Sequence, residues 1–166
     1  MHPFFVWLEA TSLSTWIRES TSVLAFPAIL TLHTIGMGFA AGLSAAVDLR
    51  ILGFAPAAPL LELRRFLPVM WIGFWMNAVS GVLLLIAYPT KALTNPVFYL
   101  KLFFIALALV GTRFMERSVF GDADRDLKPA ARKCRMLAIA SLVCWTGTIT
   151  AGRLLAYTYS HLTSLQ

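Results

Sequence analysis

The segment from Thr21 to Val47 carries no formal charge, and this restricts the fold more than any other feature. About 20 apolar residues suffice to cross a bilayer as a helix. In hydrocarbon each backbone N–H and C=O must find its partner within the segment, which leaves the helix as the available form for a lone run. Three more apolar runs follow, giving expected spans at about 22–47, 66–88, 96–114 and 136–159. A hydrophobic share of 58% and a mean hydropathy of +0.74 are more than a soluble domain of 166 residues can hide. The expected fold is therefore all-α: a four-helix bundle embedded in the lipid bilayer, with residues 1–166 as one domain.

Residues 3–20 alternate Phe4, Phe5, Trp7, Leu8, Trp16 and Ile17 with polar positions, and Ser12 or Ser14 is suited to cap a turn. This reads as an interfacial amphipathic segment on the membrane surface. Glu9, Arg18 and Glu19 interrupt it, unlike a cleaved signal with a basic start and an apolar core. The first spanning helix is expected to be retained.

A net charge of +6 raises the question of nucleic acid, but the basic residues gather near the ends of the apolar runs. Arg113, Arg117, Arg125, Lys128, Arg132, Lys133 and Arg135 cluster in the third loop, and Arg50, Arg64 and Arg65 lie in the first, beside Asp48, Glu62, Pro56 and Pro59. Positive loops stay in the cytoplasm. Both termini are then expected on the outer side, and no nucleic-acid partner is implied. Cys134 and Cys144 on the last helix are separated by roughly 15 Å of rise, too far for a disulfide.

At 100° per residue, His33, Gly36, Met37, Ala40 and Ser44 share one side of the first spanning helix, and Gly38, Gly42 and Ala45 share the other. Two opposite small-residue faces cannot both meet the core of one bundle. The Gly38-x-x-x-Gly42 face is therefore a candidate homodimer contact. On the second spanning helix Gly73, Asn77, Ser80 and Gly81 mark the side turned to other helices.

His33 is the focus of the chemistry, because a titratable group within a span is costly and often functional. Lys101 and Arg153 each lie about five residues, roughly 7–8 Å, inside the outer ends of their helices. His33 lies deeper on the same side. This layout suits a b-type haem with its iron on His33 and its propionates reaching Lys101 and Arg153. Gly36 would admit the macrocycle, and Trp71, Trp75 and Trp145 would line it. No second histidine lies within a span, since His2 and His161 fall outside. The iron is then five-coordinate, held weakly by Met76 or completed by a redox partner subunit.

Each residue has a plainer reading. His33 can be bonded to a neighbouring Thr, Ser or carbonyl, Lys101 and Arg153 can snorkel to the surface, and the tryptophans can anchor or pack. In that case the chain is a structural membrane subunit. Copper is the competing cofactor, since His33, Met37, Met70, Met76 and Cys144 include soft ligands suited to Cu(I). Its role would be that of a copper or small-solute transport accessory.

Ile17-Arg18-Glu19-Ser20, Pro27, Leu32-His33-x-x-Gly36 and Asp48-Leu49-Arg50-x-Leu52-Gly53 are followed by Asn95-Pro96-x-Phe98-x-x-Lys101-Leu102. The last piece is Trp145-x-Gly147-x-x-x-Ala151-Gly152-Arg153-Leu154-x-Ala156-Tyr157. Together they resemble a bacterial four-helix inner-membrane family of unknown function over nearly the whole chain. More distantly, His33-x-x-Gly36 and Lys101-Leu102 are similar to CopD-type copper-resistance membrane domains and HemJ-type protoporphyrinogen oxidases. The latter likeness implies His33 as haem ligand and Lys101 as its functional partner.

Overall fold

A few residues with special backbone chemistry set the helix ends. A computed structural model describes residues 3–120 and 131–163. Helices α1 (Pro3–Glu9) and α2 (Ser12–Glu19) precede the long α3 (Phe26–Leu52). The short α4 (Leu60–Leu63) runs through a 3₁₀ turn at Arg64–Phe66 into α5 (Leu67–Ala87). The short α6 (Pro89–Leu93), then α7 (Pro96–Phe120) and α8 (Ala131–Thr163), complete the chain. Within these, Phe26–Leu52, Arg64–Ala87, Pro96–Arg117 and Arg132–Tyr157 are long and apolar enough to span a membrane. The protein is an all-α four-helix membrane bundle with a short amphipathic N-terminal segment.

Several ends differ from expectation. Helix α3 runs past Val47 to Leu52, so Asp48 and Arg50 belong to the helix and not to the first loop. No residue before Gly53 breaks it. Gly53 takes the left-handed conformation at φ 104° and its N–H bonds Arg50 O, while the Phe54 N–H bonds Leu49 O at 3.0 Å. This is a C-terminal stop that glycine makes without strain. Arg113 and Arg117 likewise lie on α7, and Arg132, Lys133 and Arg135 on α8, because Arg and Lys are good helix formers where the helices leave hydrocarbon. Arg125, Lys128, His2 and the His161 side chain lie outside the described residues.

At the N-terminus, Thr11 caps α2, not Ser12 or Ser14: its Oγ1 accepts from the Ser14 N–H at 3.4 Å. Ser14 instead turns inward and donates to Ala87 O at 3.4 Å. Ile17, fully buried, packs with Ile29 and Ala87, with Phe26 and Tyr88 around them. Helix α2 thereby closes one end of the α3–α5 pair, leaving Trp16, Leu13, Trp7 and Phe4 exposed on the outer face. Asn95 starts α7 by accepting the Val97 N–H at 3.0 Å, with Pro96 in the first turn.

The long helices are arranged with α3 between α5 and α8, and α8 packed along α7. The α3–α5 contact is the tightest. A Cβ built on Gly36 would lie 2.7 Å from both Asn77 N and Gly73 O, and one on Gly73 would lie 2.5 Å from Phe39 Cβ. Small residues at a helix crossing permit this backbone approach. Where α3 meets α8 and α7, Ala40, Ala41, Ala108, Cys144 and Trp145 form a buried cluster flanked by Met37, Phe74 and Phe104. The opposite face of α3 is open, for a Cβ on Gly38 or Gly42 would meet nothing within 4 Å.

Candidate functional site

The α3–α5 crossing positions His33. Its half-buried ring lies on Gly81, where a Cβ would come within 3.1 Å of His33 Cε1. Asn77 Nδ2 donates to His33 O at 2.7 Å, tying the two backbones together at that level. Ser80 Oγ, in turn, donates to Met76 O at 2.7 Å.

These bonds fix the imidazole tautomer. His33 Nδ1 lies 3.0 Å from Asn77 O and 3.1 Å from Ser80 Oγ. A carbonyl has no proton to give, and the single Ser80 hydroxyl proton already has backbone acceptors in Met76 O at 2.7 Å and Asn77 O at 3.1 Å. Both neighbours are therefore acceptors, and Nδ1 is the donor. In the neutral ring Nε2 then keeps its lone pair, and among the described residues no hydrogen bond reaches it. A histidine whose Nδ1–H is held by a carbonyl and whose Nε2 is free matches the usual presentation of a metal-ligating imidazole. The plainer reading of the sequence, a histidine bonded to a serine and a carbonyl, describes Nδ1 and leaves Nε2 unused.

The remaining candidates divide. Lys101 is half-buried. Its side chain crosses Gly152 of α8, with Nζ at 3.7 Å from a Cβ built there. Arg153 is exposed and shares an outward stripe with Thr146, Thr150 and Tyr157. Gly36 is filled by the backbone of α5, so the space expected for a macrocycle at that glycine is occupied by helix packing. Trp145 is buried in the α3–α8 cluster, and its Nε1 has no partner. Met76 is half-buried on α5, about 100° around the helix from Asn77. Met37 packs toward the Trp145 cluster.

Two tryptophans are elsewhere. Trp71 donates to Glu116 Oε1 at 2.7 Å toward the far end of the bundle, and Arg113 stacks on its ring at 4.0 Å. Trp75 is 64% exposed, so it faces outward. The expectation that both would line a pocket at His33 is corrected by their positions around α5. Among the described residues, no three His, Cys, Asp or Glu side chains converge in a metal-binding group.

Sequence reasoning marked the Asn77/Ser80 face without pairing it with His33. The signal was the shared helical face; the register between helices has no signature in one sequence. The fold and composition define a multi-pass α-helical membrane protein. No protein-family model matches the chain, nor does any curated protein or solved structure.

Proposed function

We propose that this is a bacterial inner-membrane protein that binds a b-type haem through His33 Nε2 and serves electron transfer. The observation that carries the reading is the Nδ1 contact with Asn77 O at 3.0 Å, which orients the ring and leaves Nε2 as a ligand. Bound haem supplies a one-electron couple. Within the chain, Asn77 and Ser80 hold the imidazole in one tautomer and one orientation. The Lys101 ammonium offers a positive charge on the same side for an anionic group such as a propionate. Gly81 lets the ring lie close to α5, and Arg153 stands further out as a surface cation. The positive-inside distribution of Arg50, Arg64, Arg65, Arg113, Arg117 and Arg132 supports a cytoplasmic placement of the end opposite His33. The His33 end would then lie on the outer side, within reach of a redox partner subunit.

The test is the absorption spectrum of protein purified from a haem-replete bacterial host. A Soret band that disappears in His33→Ala and persists in Arg153→Gln is expected. A spectrum without that band, or a band that survives His33→Ala, overturns the reading. One copper per chain by elemental analysis, lost in His33→Ala, would replace haem with copper at the same nitrogen.

A further inference from the structure

At the other end of α3 a second polar group is enclosed with fewer partners. Asp48 is 2% exposed, and its Oδ2 is sealed from solvent without a hydrogen-bond partner. Ser141, across on α8, has its hydroxyl 3.5 Å from that of Ser44, one turn before Asp48 on α3. Asp48 also borders a cavity of about 10 Å³ together with Ser44, Thr112 and Glu116, with Met70 and Met115 among its apolar walls. That is room for one particle the size of a water molecule. Thr112 Oγ1 donates its proton to Ala108 O at 2.9 Å, so its lone pairs are left to face a ligand.

The charges around this cavity do not balance. Glu116 is already engaged, with Oε1 accepting from Trp71 and Oε2 at 3.6 Å from Arg113 Nη1. Arg50, half a turn beyond Asp48 on α3, is directed to the first loop: its Nε donates to Ala58 O at 2.5 Å and its Nη2 to Pro56 O at 3.1 Å. From α5 the cavity receives only Leu67 and Met70. Among the described residues no α8 side chain lines the cavity; Ser141 stands behind Ser44 at 3.5 Å, with the Cys134 and Cys144 thiols buried two turns before and one turn after it. Of the two carboxylates that line the cavity, Glu116 is paired and Asp48 lacks a counter-charge. A bare carboxylate in such a place is far too costly to persist. Protonation alone does not complete the site, because an O–H at Oδ2 would lack an acceptor as the carboxylate lacks a donor. The missing partner belongs in the cavity.

We propose that Asp48 is the anionic ligand of a site for one Na⁺, bound in exchange for a proton, with the Ser44 and Thr112 hydroxyl oxygens beside it. Hard oxygen donors suit such a cation, and the cavity matches a cation no larger than water. The exchange is balanced: the protonated Asp48 carboxyl releases H⁺ to solvent as Na⁺ takes its place, with no change in net charge. It is independent of any cofactor at His33.

The experiment follows proton release from the full chain in nanodiscs, in weakly buffered solution, on addition of NaCl, with KCl and choline chloride as comparisons. About one proton per chain is expected to be released, saturably, by NaCl. Asp48→Asn abolishes the release. Thr112→Val, which keeps the side-chain shape and removes one oxygen, shifts the half-saturating Na⁺ concentration upward about tenfold. Release by NaCl no greater than by choline chloride, an equal response to KCl, or an unchanged response in either variant overturns the proposal.

Discussion

The two ends of α3 bury polar side chains in opposite ways. Toward α2, the helix meets α5 at backbone distance, and His33 and Asn77 exchange hydrogen bonds with each other's main chains while Ser80 bonds Met76 O in its own helix. Toward the basic loops, Ser44 and Asp48 of α3 border a cavity, and Asp48 Oδ2 has no partner. Close approach through glycine lets short polar groups reach backbone acceptors in the neighbouring helix. A junction that encloses a cavity leaves the same kind of group dependent on something outside the chain. The first arrangement fixes a ring and frees one nitrogen; the second leaves a charge to be met.

The largest expected effect lies at the tight end. Gly36→Ala or Gly73→Ala places a methyl group 2.5–2.7 Å from atoms of the facing helix, and overpacking of this kind should lower stability by about 3 kcal/mol. Thermal unfolding in detergent reads it directly. Unchanged melting would mean that the helices are not in backbone contact there. Next in size, Asn77→Ala removes the donor to His33 O. Losing that 2.7 Å bond within the interface should destabilise by about 2 kcal/mol, visible as a lower denaturation midpoint.

The loose end should answer far more weakly. In sodium-free buffer Asp48 carries its proton, so Asp48→Asn exchanges one neutral polar group for another of the same shape and should change stability by less than about 1 kcal/mol. A loss as large as that of Asn77→Ala would erase the contrast between the two ends. Smallest of all, Gly38→Ala on the open face of α3 meets nothing within 4 Å and should change monomer stability by less than about 0.5 kcal/mol. If that face joins two subunits, as its spacing suggests, Gly38→Leu should reduce the dimer fraction in native mass spectrometry without altering the helical content.

The architecture was legible because hydropathy and helix length are written locally. The uncharged run before Asp48, Pro27 and Pro96 near helix starts, and the face shared by Gly73, Asn77 and Ser80 all announced themselves. Asp48 was misplaced into a loop because its charge was weighed more heavily than Gly53, which is where the helix stops. The His33–Asn77–Ser80 arrangement was half visible: each face could be read, but which residues meet depends on register and crossing between separate helices. For the same reason Trp71 and Trp75 were assigned to His33 on depth alone, although their positions around α5 turn them elsewhere. Depth alone groups Lys101 with Arg153, yet Lys101 is half-buried against Gly152 while Arg153 is exposed, because the two lie on different sides of their helices.

The free nitrogen of His33 is open to one direct measurement: the imidazole ¹⁵N spectrum of histidine-labelled protein in nanodiscs, recorded before and after one equivalent of haemin, with His33→Ala supplying the assignment. The geometry predicts a protonated Nδ1 and an unprotonated Nε2 for the neutral ring, with the Nε2 resonance displaced or broadened by haemin. A proton on Nε2 in place of Nδ1, or a His33 signal that haemin leaves untouched, would contradict it.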